Sequence, residues 1–355
     1  MKIKLLVVLI AVLLLAACAP AAQTEESADT PAELRAELRV MVHDSFAVSE
    51  DVIAAFEAKH NVKVSFLKSG DTGSLVNSAI FSKDAPQADV IYGVDNTFLS
   101  RALEAGIFEP YASPLLADIP AEFQLTPANE ASPVNYGDVC INYDKAYFAE
   151  NNLPLPASLD DLLDPAYKGL LAVENPAVSS PGLAFLLATI AQYGEEGYLE
   201  YWAALRENGV VVVNDWETAY YANFTPYGGA QPMVVSYASS PAAEVIFAAE
   251  ALSEAPTASL TVEGMCFRQV EFVGILKGTQ QRALAEAFVD FMLGVEFQQD
   301  VPMQMFVYPV NPQAVLPEAF ILWAETADQP AVLDGTLVSA NRETWIQAWD
   351  EVTLR

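Results

Sequence analysis

The residues best suited to chemistry in this chain are aromatic and acidic. Trp216, Tyr220, Tyr221, Tyr237, Phe306 and Tyr308 offer ring faces, and Trp216 follows Asn214-Asp215 directly after a run of four valines. Tyr237 likewise ends an apolar run. Ring quadrupoles and nearby carboxylates act together on a flat organic cation, each well-placed face contributing ~0.5 to 2 kcal/mol. Any one of these rings alone also serves as ordinary core. Asp44 and Asp95 are candidate partners for an amino or ammonium group, and Glu217 and Glu271 add negative potential. Both aspartates can instead cap a helix or brace a loop.

A second set suits an anion. Gly70-Asp71-Thr72-Gly73-Ser74 combines a turn with backbone donors at a helix start, and Ser180-Pro181 and Ser240-Pro241 open two more helices. Such ends receive phosphate through N–H groups and hydroxyls without a lysine. Plain capping is the simpler role of the same residues. The GxxxxGK[ST] loop is absent, and no glycine-rich dinucleotide fingerprint follows the first strand. Catalysis finds little support. His43 and His60 are the only histidines, and the adjacency of Ser45 to His43-Asp44 does not assemble a triad. No cysteine–histidine zinc spacing occurs. The Tyr220-Tyr221 pair leaves ferric-ion capture open, at the cost of ionising phenols of pKa ~10.

These residues need elements to hold them. Residues 38–43 read as a strand, after which Ser49 and an acidic first turn open an amphipathic helix carrying Val52, Ile53 and Phe56. Residues 62–67 form the next strand, and Leu75, Val76, Ala79 and Ile80 mark the next helix. The nearly continuous apolar run 88–94 suits a buried parallel strand. Asn96 is expected to cap the helix after it and Gly106 to end that helix. Beyond an extended segment at 134–142, strands are expected at 170–173, 210–213, 233–237 and 270–276. Helices are expected from Ser180 to Tyr193, around Trp216, from Ser240 and over 283–292. The pattern describes two α/β lobes with mostly parallel sheets and more than one connection. The candidate residues collect at carboxyl ends of strands, where such sheets hold ligands, and facing lobes would enclose a small molecule.

The chain has 355 residues, with 47 Asp plus Glu against 17 Lys plus Arg, a net charge of -30 and 53% hydrophobic residues. That is enough chain for two domains, and too acidic for a general binder of nucleic acid or anionic bilayers. Lys2 and Lys4 precede 13 apolar residues that end in Leu15-Ala16-Ala17-Cys18. This is a secretory signal, too short to cross a bilayer comfortably. The cysteine after the small pair resembles a bacterial lipoprotein signal, with residues 1–17 removed and lipid carried on Cys18. Residues 18–36 then read as a flexible tether. In an exported body, Cys140 and Cys266 are left as an even pair, either disulfide-bonded or two buried thiols.

From Leu38 to Trp349 the chain resembles the thiamine-binding periplasmic proteins of bacterial ABC importers, a branch of the type II solute-binding proteins. The resemblance rests on Asp44-Ser45-Phe46, on Ala88 to Asn96, on Pro176 with Ser180-Pro181-Gly182-Leu183, and on Asp215 to Tyr220. Ser236 to Pro241, Gln269-Val270-Glu271 and Tyr308-Pro309-Val310 complete it. It implies a two-lobed fold with at least two crossings. Lobe 1 would comprise residues 37–132 and about 268–310, lobe 2 residues 133–267, with 311–355 a helical segment of unassigned lobe. It further implies capture of thiamine or its phosphates, without catalysis or cofactor, by a lipid-anchored monomer serving a permease and its separate ATPase. Ferric-ion or organic-cation capture is the alternative in the same class, and an enzyme acting on a phosphorylated metabolite lies outside it. Trp216 and Tyr237 would enclose the vitamin, with Tyr220, Phe306 and Tyr308 as further aromatic contacts. Asp44 and Asp95 would face its charge. Ser45, Gly70, Asp71, Ser180 and Ser240 would face its polar groups. Phe306 stands where the family pattern has tryptophan, and Ala243 where it can have tyrosine, which leaves less ring surface. If the crossing segments run side by side, Cys140 and Cys266 would be linked across them.

Overall fold

The computed structural model describes residues 36–355. The expected signal peptide, Cys18 and the tether through Arg35 lie outside the described residues, whereas Ala36 already belongs to the first strand. In chain order the elements begin β1 (Ala36–Val42), α1 (Glu50–His60), β2 (Val62–Lys68), α2 (Thr72–Phe81), β3 (Val90–Asp95), α3 (Leu99–Ala105) and β4 (Phe108–Glu109). They continue with β5 (Ser132–Asp144), α4 (Lys145–Glu150), β6 (Leu171–Glu174), α5 (Ser180–Glu207), β7 (Val211–Val213), β8 (Met233–Tyr237) and α6 (Ser240–Ile246). The last are β9 (Thr257–Leu260), β10 (Phe267–Leu276), α7 (Arg282–Leu293), α8 (Val295–Gln304), β11 (Tyr308–Pro309), α9 (Glu318–Trp323) and α10 (Gly335–Thr353).

The strands join in the order β2-β1-β3-β10-β5-β8-β6-β7, with β4, β9 and β11 added at β10 and β5. Pairing is parallel at β2-β1-β3 and at β8-β6-β7. Between these groups, β10 and β5 run antiparallel to each other and to β3 and β8. The sheet is therefore mixed, not mostly parallel as the strand–helix alternation suggested, because two long strands cross its middle in opposite directions. Cys140 and Cys266 form a disulfide between these crossing segments, 126 residues apart in sequence.

Side-chain alternation sets the core. Leu38, Val40 and Val42 of β1 pack with α1, α7 and α8 on one face, while Met41 joins α2 and α3 on the other. The second cluster runs on without a break through Leu183 to Ile190 of α5 and Trp345 and Trp349 of α10. The C-terminal segment spans both groups of elements: Trp349 meets Trp202 of α5 edge-on at 5.4 Å, and Arg342 donates to Ser100 of α3 at 3.0 Å. The helix expected to end at Tyr193 breaks at Gly194, where φ is 73°, then resumes to Glu207. Two expected caps are also reassigned by long-range contacts. Ser49 gives its hydroxyl to Asp300, and the Asn96 side chain bridges the Arg268 carbonyl and the Val270 N–H on β10.

Candidate ligand-binding site

Carboxyl ends of strands from both parallel groups converge on a cavity of about 250 Å³. Its floor begins at His43, just past β1. The imidazole lies over Gly93, whose φ is 100° and where a Cβ would stand 2.3 Å from the ring, so only glycine leaves room. His43 Nε2 is 3.3 Å from a Glu271 oxygen on β10. Tyr92 donates its hydroxyl to the other Glu271 oxygen at 2.8 Å, and Asn135 donates in turn to Tyr92. Burial pulls the His43 pKa down, but Glu271, then Asp71 and Asp44, outweigh it and hold the pKa above its ordinary value. Burial pushes Glu271 up, yet the His43 charge and the Tyr92 hydroxyl hold it below the ordinary range. The floor is thus an ion pair, nearly neutral as a unit.

The polar end is made where α2 and α5 start. The Asp71 side chain caps α2, accepting from the Thr72 N–H at 2.7 Å. Burial raises its pKa against that hydrogen bond and the His43 charge. Thr72 Oγ1 donates to the Gly93 carbonyl at 3.1 Å and accepts from the Ser180 hydroxyl at 3.2 Å. Beside them the Gly73 N–H donates to the Val178 carbonyl at 2.9 Å, so the backbone itself ties α2 to the approach of α5. Ser45 donates to Glu217 at 3.4 Å across the cavity.

The aromatic wall follows β7. Trp216 donates from Nε1 to Ser236 at 2.9 Å and stacks on Tyr220 with centroids 5.0 Å apart. Tyr220 and Tyr221 occupy a π-helical turn over Thr218–Asn223, and Tyr221 meets Trp216 edge-on at 5.5 Å. Glu244 of α6 accepts from the Tyr220 hydroxyl at 2.7 Å and from Tyr227 at 2.9 Å. Burial, then Glu244, hold the Tyr220 phenol well above its ordinary pKa.

Of the residues singled out in the sequence, Ser45, Asp71, Ser180, Trp216, Tyr220, Tyr237, Ser240 and Phe306 line this cavity. Four do not. Asp44 and Gly70 brace each other through the Asp44 carboxylate, which accepts the Gly70 N–H at 2.9 Å, and through the backbone. Asp95 is fully buried behind the site, accepting from the Thr97 and Phe98 N–H groups and from Gln269. Burial pushes its pKa up to about 7. Tyr308 stacks on Tyr136 at 5.4 Å and meets Phe320 edge-on at 4.8 Å, as packing for β5 and α9. Glu217, Tyr221, Ala243 and Glu271, named in the sequence, and Thr72, from the helix start suited to an anion, line it too, as do His43 and Met305, for which no motif in the sequence pointed to the cavity.

A family model for bacterial extracellular solute-binding proteins matches residues 85–321. The chain belongs to that family. It is 31% identical over 340 residues to the thiamine-binding periplasmic protein of Salmonella typhimurium, covering 92% of this chain and 96% of the relative. A solved periplasmic thiamin binding protein superposes with a TM-score of 0.78 at 26% identity, over 90% of this chain and 96% of that one. Iron-bound HitA from Pseudomonas aeruginosa shares the fold with a TM-score of 0.72 at 20% identity, over 89% and 99% of the two chains. This solute-binding protein therefore works outside the cytoplasm with the permease and ATPase of an ABC importer, binding its solute without converting it.

Proposed function

We propose that the cargo is thiamine, free or phosphorylated. The observation that carries this reading is the Trp216 ring, backed by Tyr220 on one face and open to a cavity that also holds Asp71 and Glu217. No lysine or arginine is among the lining residues. Thiamine joins a flat pyrimidine to a thiazolium cation. Stacking on indole and a carboxylate field favour both parts, while the His43–Glu271 pair cancels its own charge. The starts of α2 and α5, with Thr72 and Ser180, suit the hydroxyethyl or phosphate end. The names of the similar proteins support the same reading. In this proposal Cys18 carries the lipid anchor, the protein acts as a monomer, and residues 37–132 with 268–310 close against 133–267 around the ligand. Ferric capture would need a Tyr220 phenolate, which the hydrogen bond to Glu244 opposes.

Calorimetry on the purified protein with thiamine, its mono- and diphosphate, Fe(III) and a polyamine tests the reading. Thiamine or a phosphate is expected to bind and to be recovered unchanged. Trp216→Ala should weaken that binding by roughly 2- to 30-fold with little loss of stability. Binding of Fe(III) or polyamine alone, or an unaltered affinity in a folded Trp216→Ala variant, would sink it.

A further inference from the structure

Two aromatic rings, one of them in the cavity lining, meet each other apart from the stack on Trp216. Ala243, on the first turn of α6, lines the cavity with only a methyl group. Phe247 lies one turn further on. Its N–H donates to the Ala243 carbonyl at 2.9 Å, which places both residues on one side of the turn. The Phe247 ring meets Phe306 edge-on, with centroids 5.0 Å apart and planes at 77°. Phe306 also lines the cavity but arrives on a different segment, the link from α8 to β11. Neither ring is explained by core packing. Phe247 remains 67% exposed, and Phe306 holds a φ of 55°, a left-handed backbone that bulky residues rarely adopt. Residues held in such conformations collect at ligand clamps and switches.

We propose that Phe247 and Phe306 form an aromatic gate across the mouth, with Phe247 supplying the cover that Ala243 lacks. The ligand of the gate is the thiamine of the proposed function, on which this inference rests. A ring stacked on Trp216 leaves only after the two phenylalanines part. Parting requires either that the rings rotate or that α6 separates from the α8–β11 link. The same parting admits the ligand, so the gate sets entry and release rates alike, and the floor, aromatic wall and polar end of the cavity set the affinity.

Stopped-flow fluorescence with thiamine, on the wild type, Phe247→Ala, Phe247→Trp and Phe306→Gly, tests the gate. Glycine accepts the Phe306 backbone conformation freely, so that variant loses the ring without new strain. Phe247→Ala is expected to speed association and release of thiamine together, each about tenfold, with affinity little changed, and Phe247→Trp to restore slow exchange; Phe306→Gly, which also removes a lining ring, should speed release at least as much. A second readout needs no ligand. In protein labelled with 5-fluorotryptophan, the Trp216 resonance is assigned by its loss in Trp216→Phe, and its H2O/D2O shift reports solvent access. That shift should grow in Phe247→Ala and Phe306→Gly. A wild type that ignores thiamine defeats the functional reading, while the isotope shift still decides whether the rings close the mouth. Release rates and isotope shifts matching the wild type in folded variants overturn the gate.

Discussion

Single residues in this protein take their roles from what they meet across the fold. Trp216 and Tyr237 were legible in the sequence, because each follows an apolar run at a strand end and both line the cavity. Tyr308 carried a similar signal, yet β11 delivers its ring to Tyr136 and Phe320. The His43–Glu271 pair was illegible, since its halves come together only when β10 pairs beside β3 and β3 beside β1. Asp95 carries a consequence for stability. Its folded pKa of about 7 lies above the unfolded value of 3.8, so the folded state binds the extra proton between those limits. Stability contributed by this group is full below the unfolded pKa and falls as pH rises to the folded one. Asp95→Asn removes that dependence and keeps an acceptor for the Thr97 and Phe98 N–H groups. Urea melts between pH 4 and 7 should show a slope of stability against pH that is more positive than the wild type's by up to about 1.4 kcal/mol per pH unit. An unchanged slope would place the titration elsewhere.

At the scale of elements, periodicity located most strands and helices, because apolar side chains must share a face whatever they pack against. What it missed was how ends are satisfied. Ser49 and Asn96 have the side chains of helix caps but spend them on α8 and β10, a choice fixed only by neighbours distant in sequence. The contact between α2 and the approach of α5 was equally hidden. Gly73 sits where a Cβ would stand 2.8 Å from the Val178 backbone. Alanine in a helix is ordinarily favoured over glycine by about 1 kcal/mol, but here the added methyl must push the two backbones apart. Gly73→Ala is expected to lower the melting temperature and to weaken binding of the proposed ligand, thiamine, about tenfold or more, since Asp71 and Thr72 would move away from Ser180. Calorimetry of melting and of binding checks both. A variant as stable as the wild type with full affinity would show that the contact yields without cost.

For the whole molecule, the crossing strands matter most. The Cys140–Cys266 disulfide closes a loop of 126 residues and lies in a small buried cluster with Ala238 and Ala327, outside the cavity lining. Constraining so long a loop in the unfolded chain is worth roughly 2 to 4 kcal/mol. The Cys140→Ala/Cys266→Ala double variant should lose about that much in denaturant unfolding while affinity for the proposed ligand, thiamine, stays within about threefold. A large loss of affinity at unchanged stability would instead make the bond part of the binding geometry. Local order along the chain was enough for the acidic charge, the alternation of strands and helices and the aromatic character of the site. Only the folded chain settles which way the sheet runs through its middle, which carboxylates face the cavity and which brace loops, and that Phe247 meets the cavity-lining Phe306. Those outcomes depend on strand pairing and on contacts between distant segments, and no local pattern encodes a distance between residues that the chain brings together only by crossing itself.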